Sequence, residues 1–196
     1  KEAQGTPSAK AYEKVLAMAR EGADPLTNHH RQVSAVAVLI MLNTGGASMD
    51  EVSDLGAAGL VHDLALQTMP RSFWDKHSRC ETDFSSSEKL SYMSHPIQVL
   101  EVLKKDKLKT TPGMLKIIEQ HHENWGGDGF KGLSENQIYR PARALRIADD
   151  LVSTINHPQK PLVFRYAVKK LAEIEKAAGG RLYDPDMMRA ISALVT

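Results

Sequence analysis

The chain has 196 residues, 42% hydrophobic and 25% charged, which is enough to bury one sizeable core. Lys and Arg number 25 against 24 Asp and Glu, and a formal charge of +1 offers no cationic field to hold duplex nucleic acid or an anionic membrane. The single Cys80 excludes an intramolecular disulfide and a cysteine zinc cluster, which fits a reducing compartment, and the cytoplasm is the expected location. The most apolar run, Val33 to Leu42, falls far short of the roughly twenty residues a membrane-spanning helix needs. The chain begins at Lys1 rather than Met, so residues 1–196 are expected to be the C-terminal part of a longer chain.

In chain order, Tyr12, Val15, Leu16 and Ala19 predict a first helix ending near Gly22. A second, apolar nearly all round, is expected from a cap at Thr27 or Asn28 through Val33 and Ile40 to Gly45 and Gly46. Ser48 and Glu51 make a capping box for a third helix, which carries His62 and Asp63 near its end. The stretch 70–87, which includes His77, has no steady period and reads as a long irregular connection. The next helix starts around Ser87 and Glu88 and is expected to break or restart at Pro96, just after His95. Thr111 and Pro112 open a helix that ends at His121 and His122 before Gly126, Gly127 and Gly129. Pro141, Pro161 and Asp184–Pro185 open the remaining helices, and no strand-like alternation lasts more than a few residues, so the fold class is all-α.

Most of the 8 histidines fall on helices or at their ends. His62 beside Asp63 in an apolar segment is costly to bury unless both groups coordinate an ion or form hydrogen bonds. His121 and His122 have a plainer reading as cationic residues at a helix C-terminus, and His95 as a cap residue. Of Asp149 and Asp150, one is expected to face inward and the other solvent. Imidazoles with a carboxylate able to bridge would suit a binuclear site for first-row ions.

The order His29, His62–Asp63, His95, His121–His122, Asp149 resembles the HD superfamily of metal-dependent phosphohydrolases, more narrowly its HD-GYP branch. The branch's string HHExxxGxGYP is matched by HHENWGGDGFK, from His121 to Lys131, and its Arg-Ile…Asp segment is echoed by Arg143 through Asp149. The resemblance covers nearly the whole chain and implies an HD-type helical bundle, with residues 1–196 as one HD-GYP-like domain. It implies that His29, His62, Asp63 and Asp149 hold one divalent ion and Asp63, His95, His121 and His122 a second, with Asp63 bridging and iron or manganese favoured over zinc. His29 is chosen over His30 because the family places this histidine four residues before a helical valine, here Val33; His30 would then face solvent or groups behind the ligands. Glu123, Asp150 and backbone carbonyls are the candidate partners for the other ring nitrogens.

The resemblance further implies hydrolysis of cyclic di-GMP to the linear dinucleotide, with a hydroxide bridging the two ions as nucleophile and Asp63 at its centre. The pattern is incomplete on the substrate side. The lysine of HDxGK is Leu66, the tyrosine and proline of GYP are Phe130 and Lys131, and a second aspartate is replaced by Val152. The Arg-Pro pair is echoed only by Lys160–Pro161, and Pro25 stands where some members carry a glutamate for a third ion. Lys131, Arg143 and Lys160 are the candidates to replace the missing phosphate contacts. Three readings remain: a phosphodiesterase of reduced activity, a weak or inactive module that binds a cyclic dinucleotide or a signalling protein partner, or a general HD enzyme that hydrolyses another nucleotide or phosphoester, against which the glycine loop argues.

Overall fold

Ser48 and Glu51 cap each other reciprocally at the start of a helix, the Ser48 side chain accepting from the Glu51 amide and the Glu51 carboxylate accepting from the Ser48 amide. The arrangement satisfies two amides that the first helical turn would otherwise leave without partners. Ser85 and Glu88 repeat it for the helix expected at Ser87, moving its start to Ser86. The computed structural model describes residues 25–70, 72–73 and 84–195. The helix expected before Gly22, and His77 and Cys80, lie outside the described residues.

The helices are α1 (Pro25–Thr44), α2 (Met49–Val61), α3 (Ser86–Lys105), α4 (Pro112–Gln120), α5 (Arg140–Ile155), α6 (Phe164–Ala177) and α7 (Pro185–Ser192). Short 3-10 turns occupy Leu64–Thr68 and Glu135–Gln137. No strand forms among the described residues, and the all-α expectation holds. None of the described helices is long and apolar enough to cross a membrane.

α1 packs against α2, α5 and α7, which explains its apolar circumference: Val33, Val36, Ala37, Ile40 and Met41 are all buried. Its second great partner, α5, contributes Leu145, Ile147, Ala148, Leu151 and Val152 to the same core. α1 and α2 meet at Gly59, where a Cβ would come within 2.5 Å of the Ser34 Cα, so only glycine permits this approach. The Ser34 hydroxyl donates to the Gly56 carbonyl at 2.7 Å across the same contact. This contact sets the end of α2, and with it His62 and Asp63, beside His29 on α1.

Three expectations need correction. α1 already includes Pro25, whose fixed φ suits a first turn, so Thr27 and Asn28 lie inside the helix rather than capping it. The helix after Pro161 starts at Phe164, with Val163 at its N-terminal boundary and no side-chain cap. Pro96 does not interrupt α3, which runs unbroken through it. The reason lies at His95 and belongs to the site.

Candidate metal centre

Three buried histidines are oriented by one device. His62 Nδ1 donates to the Gly59 carbonyl at 2.9 Å, His121 Nδ1 to Ile118 at 2.6 Å and His95 Nδ1 to Tyr92 at 2.5 Å, each acceptor lying three residues earlier. Gly59 and Ile118 stand in the last turns of α2 and α4, where carbonyls lack the amide four residues on. Tyr92 lies mid-helix, and there the missing amide is that of Pro96. The proline thus leaves an acceptor that His95 uses, and helix and ligand geometry are satisfied together.

A carbonyl can only accept, so each of these rings carries its hydrogen on Nδ1 and turns a bare Nε2 inward. His95 Nε2 lies 3.3 Å from His121 Nε2, and both face Asp63 Oδ1, at 3.0 and 3.5 Å. His62 Nε2 is 3.5 Å from Asp63 Oδ2 and 4.0 Å from Asp149 Oδ1, while His29 Nε2 is 3.0 Å from Asp149 Oδ1. The Nε2 atoms of His62 and His122 are buried without a hydrogen-bond partner. Lone pairs that converge in a buried space with no hydrogen among them need a cation.

Two donor groups result. Asp63, His95, His121 and His122 place one ligand atom each within 4.8 Å of one another, as do His29, His62 and Asp63, with Asp149 closing the second group through its contacts to His29 and His62. Asp63 is common to both. This is a nitrogen and oxygen set that could hold first-row divalent ions.

Burial alone would raise the Asp63 carboxyl and lower the imidazoles, but the two classes of group answer each other. Asp63 is held well below its ordinary value despite its burial, by the imidazoles of His62, His121 and His95 that face it. Asp149 is held low in the same way, chiefly by His29 against its own burial. Burial, aided by neighbouring histidine charge, pushes His62 and His122 down and keeps them neutral. Neutral imidazole and ionised carboxylate are the forms that bind metal.

Of the two placements expected for His30, solvent is excluded: it lies buried behind the candidate ligands with its ring 5.1 Å from that of His62, and burial with the nearby His62 pushes it down to about 4. Its Nε2 has no partner, and it belongs to neither donor group. Of the aspartate pair, Asp149 faces inward as expected, but Asp150 is not simply solvated: it accepts from Arg146 Nη1 at 2.6 Å and from the Tyr183 hydroxyl at 2.6 Å. Glu123 likewise does not serve a histidine. It accepts from the amides of Lys131 and Leu133, at 2.6 and 2.8 Å, and ties down the glycine loop.

That loop packs on the centre. A Cβ at Gly129 would meet the Glu123 Cα at 2.5 Å and the His122 carbonyl and Asn124 amide nitrogen at 2.7 Å. Phe130, next along, lays its ring 4.6 Å from that of His122.

The centre opens into a cavity of about 1340 Å³, roomy enough for a dinucleotide. His29, Asp63, His122 and Asp149 are on its wall. The three expected phosphate contacts are not. The Lys131 ammonium pairs with Glu119 at 2.6 Å, Arg143 is held by Asp184 at 3.1 Å and by the Ile138 carbonyl at 2.8 Å, and Lys160 is exposed. The cation that does line the cavity, Arg146, was missed. Its signal was present in the sequence, because Arg146 precedes Asp149 by three residues and so shares its face of the helix.

The chain matches a family model described as the HD domain over residues 13–187. Among solved structures it is similar to Bd1817, an HDG"Y"P protein from Bdellovibrio bacteriovorus, with a TM-score of 0.67 and 19% identity over 96% of this chain. The chain spans 61% of the length of that protein. It is also similar to the HD domain of the L. monocytogenes phosphodiesterase PgpH, with TM-scores of 0.57 and, for the complex with cyclic-di-AMP, 0.59. Identity in both is 13%, and the latter match covers 97% of this chain and 93% of the other. At such identities the likeness is one of fold. A comparison with curated protein sequences finds no match.

Proposed function

The chain belongs to the HD domain family, and from that premise we propose that it is a binuclear-metal phosphodiesterase that opens cyclic di-GMP to the linear dinucleotide, with reduced activity. The observation that carries this reading is the convergence of bare imidazole nitrogens and ionised carboxylates on two points that share Asp63. His29, His62, Asp63 and Asp149 would hold one ion and Asp63, His95, His121 and His122 the other, iron or manganese in preference to zinc. Two such ions would lower the pKa of a bound water and neutralise charge growing on phosphoryl oxygens.

The chain's own groups prepare that chemistry. Gly59, Tyr92 and Ile118 fix three rings through their carbonyls, so ligand geometry is set before any ion binds. Phe130 covers His122 and limits water on that side. A cyclic dinucleotide suits the size of the cavity, and a structural neighbour is in complex with one, cyclic-di-AMP. The protein is taken to act in the cytoplasm.

Elemental analysis of protein purified without chelator, with turnover of cyclic di-GMP and cyclic di-AMP followed chromatographically, tests the proposal. Asp63→Ala should lose both ions and all turnover. Wild type that carries two ions and hydrolyses neither compound would overturn it. The second reading, a module that binds a cyclic dinucleotide or a signalling partner without turnover, is favoured by Leu66, which puts an apolar side chain on the cavity wall where the family pattern has lysine.

A further inference from the structure

The cavity wall carries two polar groups that neither the ligand set nor the sequence pattern uses. Tyr92 comes from α3, one turn before His95, and Arg146 from α5, one turn before Asp149. The Tyr92 ring lies 5.1 Å from that of His95, 5.6 Å from that of His122 and edge-on to Phe130 at 6.0 Å. A phenol from another helix therefore stands against the ring that occupies the tyrosine position of the glycine loop. Near neutral pH a phenol carries its proton and can donate to an anion.

Arg146 is aimed. Its Nη1 donates to Asp150, which the Tyr183 hydroxyl also holds, and its Nε lies 3.4 Å from Asn124 Oδ1. A guanidinium pinned on two sides keeps its planar fork oriented and loses little side-chain entropy when an anion meets the rest of it. Among the described residues on the wall it is the one permanent cation, and the ammonium expected at position 66 is a leucine.

We propose that Tyr92 and Arg146 are the phosphate contacts of this site, a phenol and a guanidinium in place of the donors missing at Phe130 and Leu66. The proposal rests on the reading of the cavity as a phosphodiester site. It assigns the class of ligand, a phosphate or phosphodiester anion, held between α3 and α5 beside the ions.

The test uses the full chain loaded with manganese, inorganic phosphate as probe, and the variants Tyr92→Phe and Arg146→Lys. Phosphate affinity is measured by calorimetry, metal content by elemental analysis, and kcat and KM with bis(p-nitrophenyl) phosphate. A hydrogen bond to a charged group predicts that each variant keeps its metal and binds phosphate about 10- to 100-fold more weakly. Tyr92→Phe keeps the ring and its packing, so it decides the matter even if Arg146→Lys does not fold. Unchanged phosphate affinity in Tyr92→Phe, loss of metal together with phosphate in that variant, or a metal-loaded wild type that binds no phosphate would each overturn the proposal. Weakened phosphate binding in the variants, in a wild type that hydrolyses no cyclic dinucleotide, would leave this assignment standing and remove the proposed activity instead.

Discussion

Pro96 leaves the Tyr92 carbonyl without its helical donor, and the imidazole of His95 takes the vacancy at 2.5 Å. A residue that ordinarily disrupts a helix interior here frees the acceptor that orients a candidate ligand.

Replacing Pro96 with Ala restores an amide that competes for that carbonyl. The metal-free protein should gain stability, by about 1–3 kcal/mol, because the helical hydrogen bond returns and the ring no longer crowds the preceding turn. Affinity for the ion held by His95, His121 and His122 should fall about tenfold, as expected when a ligand's orienting partner is weakened. Urea titration and metal competition in parallel would show opposite signs. Equal metal affinity in the two proteins would mean that the carbonyl serves both donors at once.

Gly129→Ala should be far more disruptive than its size suggests. The added methyl meets backbone atoms of His122, Glu123 and Asn124 at 2.5–2.7 Å, and backbone cannot rotate away. The loop must lift, carrying His122 with it, so the variant should bind about one ion where wild type should bind two. A full complement of metal in Gly129→Ala would refute the coupling of loop and ligand.

The metal-free protein should lose stability in weak acid, and His30 supplies a measurable share. Burial holds its folded value at about 4 against 6.5 unfolded, so the unfolded chain binds the extra proton between those limits. The contribution is complete above pH 6.5 and declines as pH falls toward 4, by about 2 kcal/mol on reaching pH 5. His62 and His122 act in the same sense, while His29, raised by Asp149 against its own burial, adds stability below 6.5 and loses it as pH rises. Denaturant titrations of chelated wild type and His30→Gln at pH 7 and pH 5 isolate the His30 share. Parallel curves for the two proteins would contradict it.

Leu66→Lys tests the substrate side. Leu66 lies in the 3-10 turn that Asp63 precedes, three residues after it, and lines the cavity with it. An ammonium there should raise affinity for a phosphodiester about 10- to 100-fold with metal content unchanged. No gain, measured with a cyclic dinucleotide by calorimetry, would indicate that the cavity does not hold a phosphate above Asp63.

The candidate ligands were legible because their chemistry and their place at helix ends are both local. His62, His121 and His122 follow the last turns of α2 and α4, and each carries a spacing that survives without knowledge of packing. Which cations line the cavity was not legible, because the direction of a long cationic side chain is set by residues distant in sequence. Arg143 turns to Asp184 and to the Trp125 ring, 5.2 Å away, while Arg146, one turn later on the same helix, turns to the cavity. Composition cannot separate them. The choice between solvent and interior for His30 was open in the sequence for a related reason, since only the packing of α1 against α2, α5 and α7 shows that it is buried. Continuity through Pro96 was hidden in the side chain of its neighbour, which helix propensities ignore.

The residues that meet at Asp63 arrive from α1, α3 and α5 and from the ends of α2 and α4, segments far apart along the chain. A pair of ions seated there would fasten these helices at a single point, as a rivet does. Assembly of the bundle and supply of metal then form one equilibrium: starving the protein of ions would loosen the molecule as a whole, and its lifetime would report on the ion pool around it.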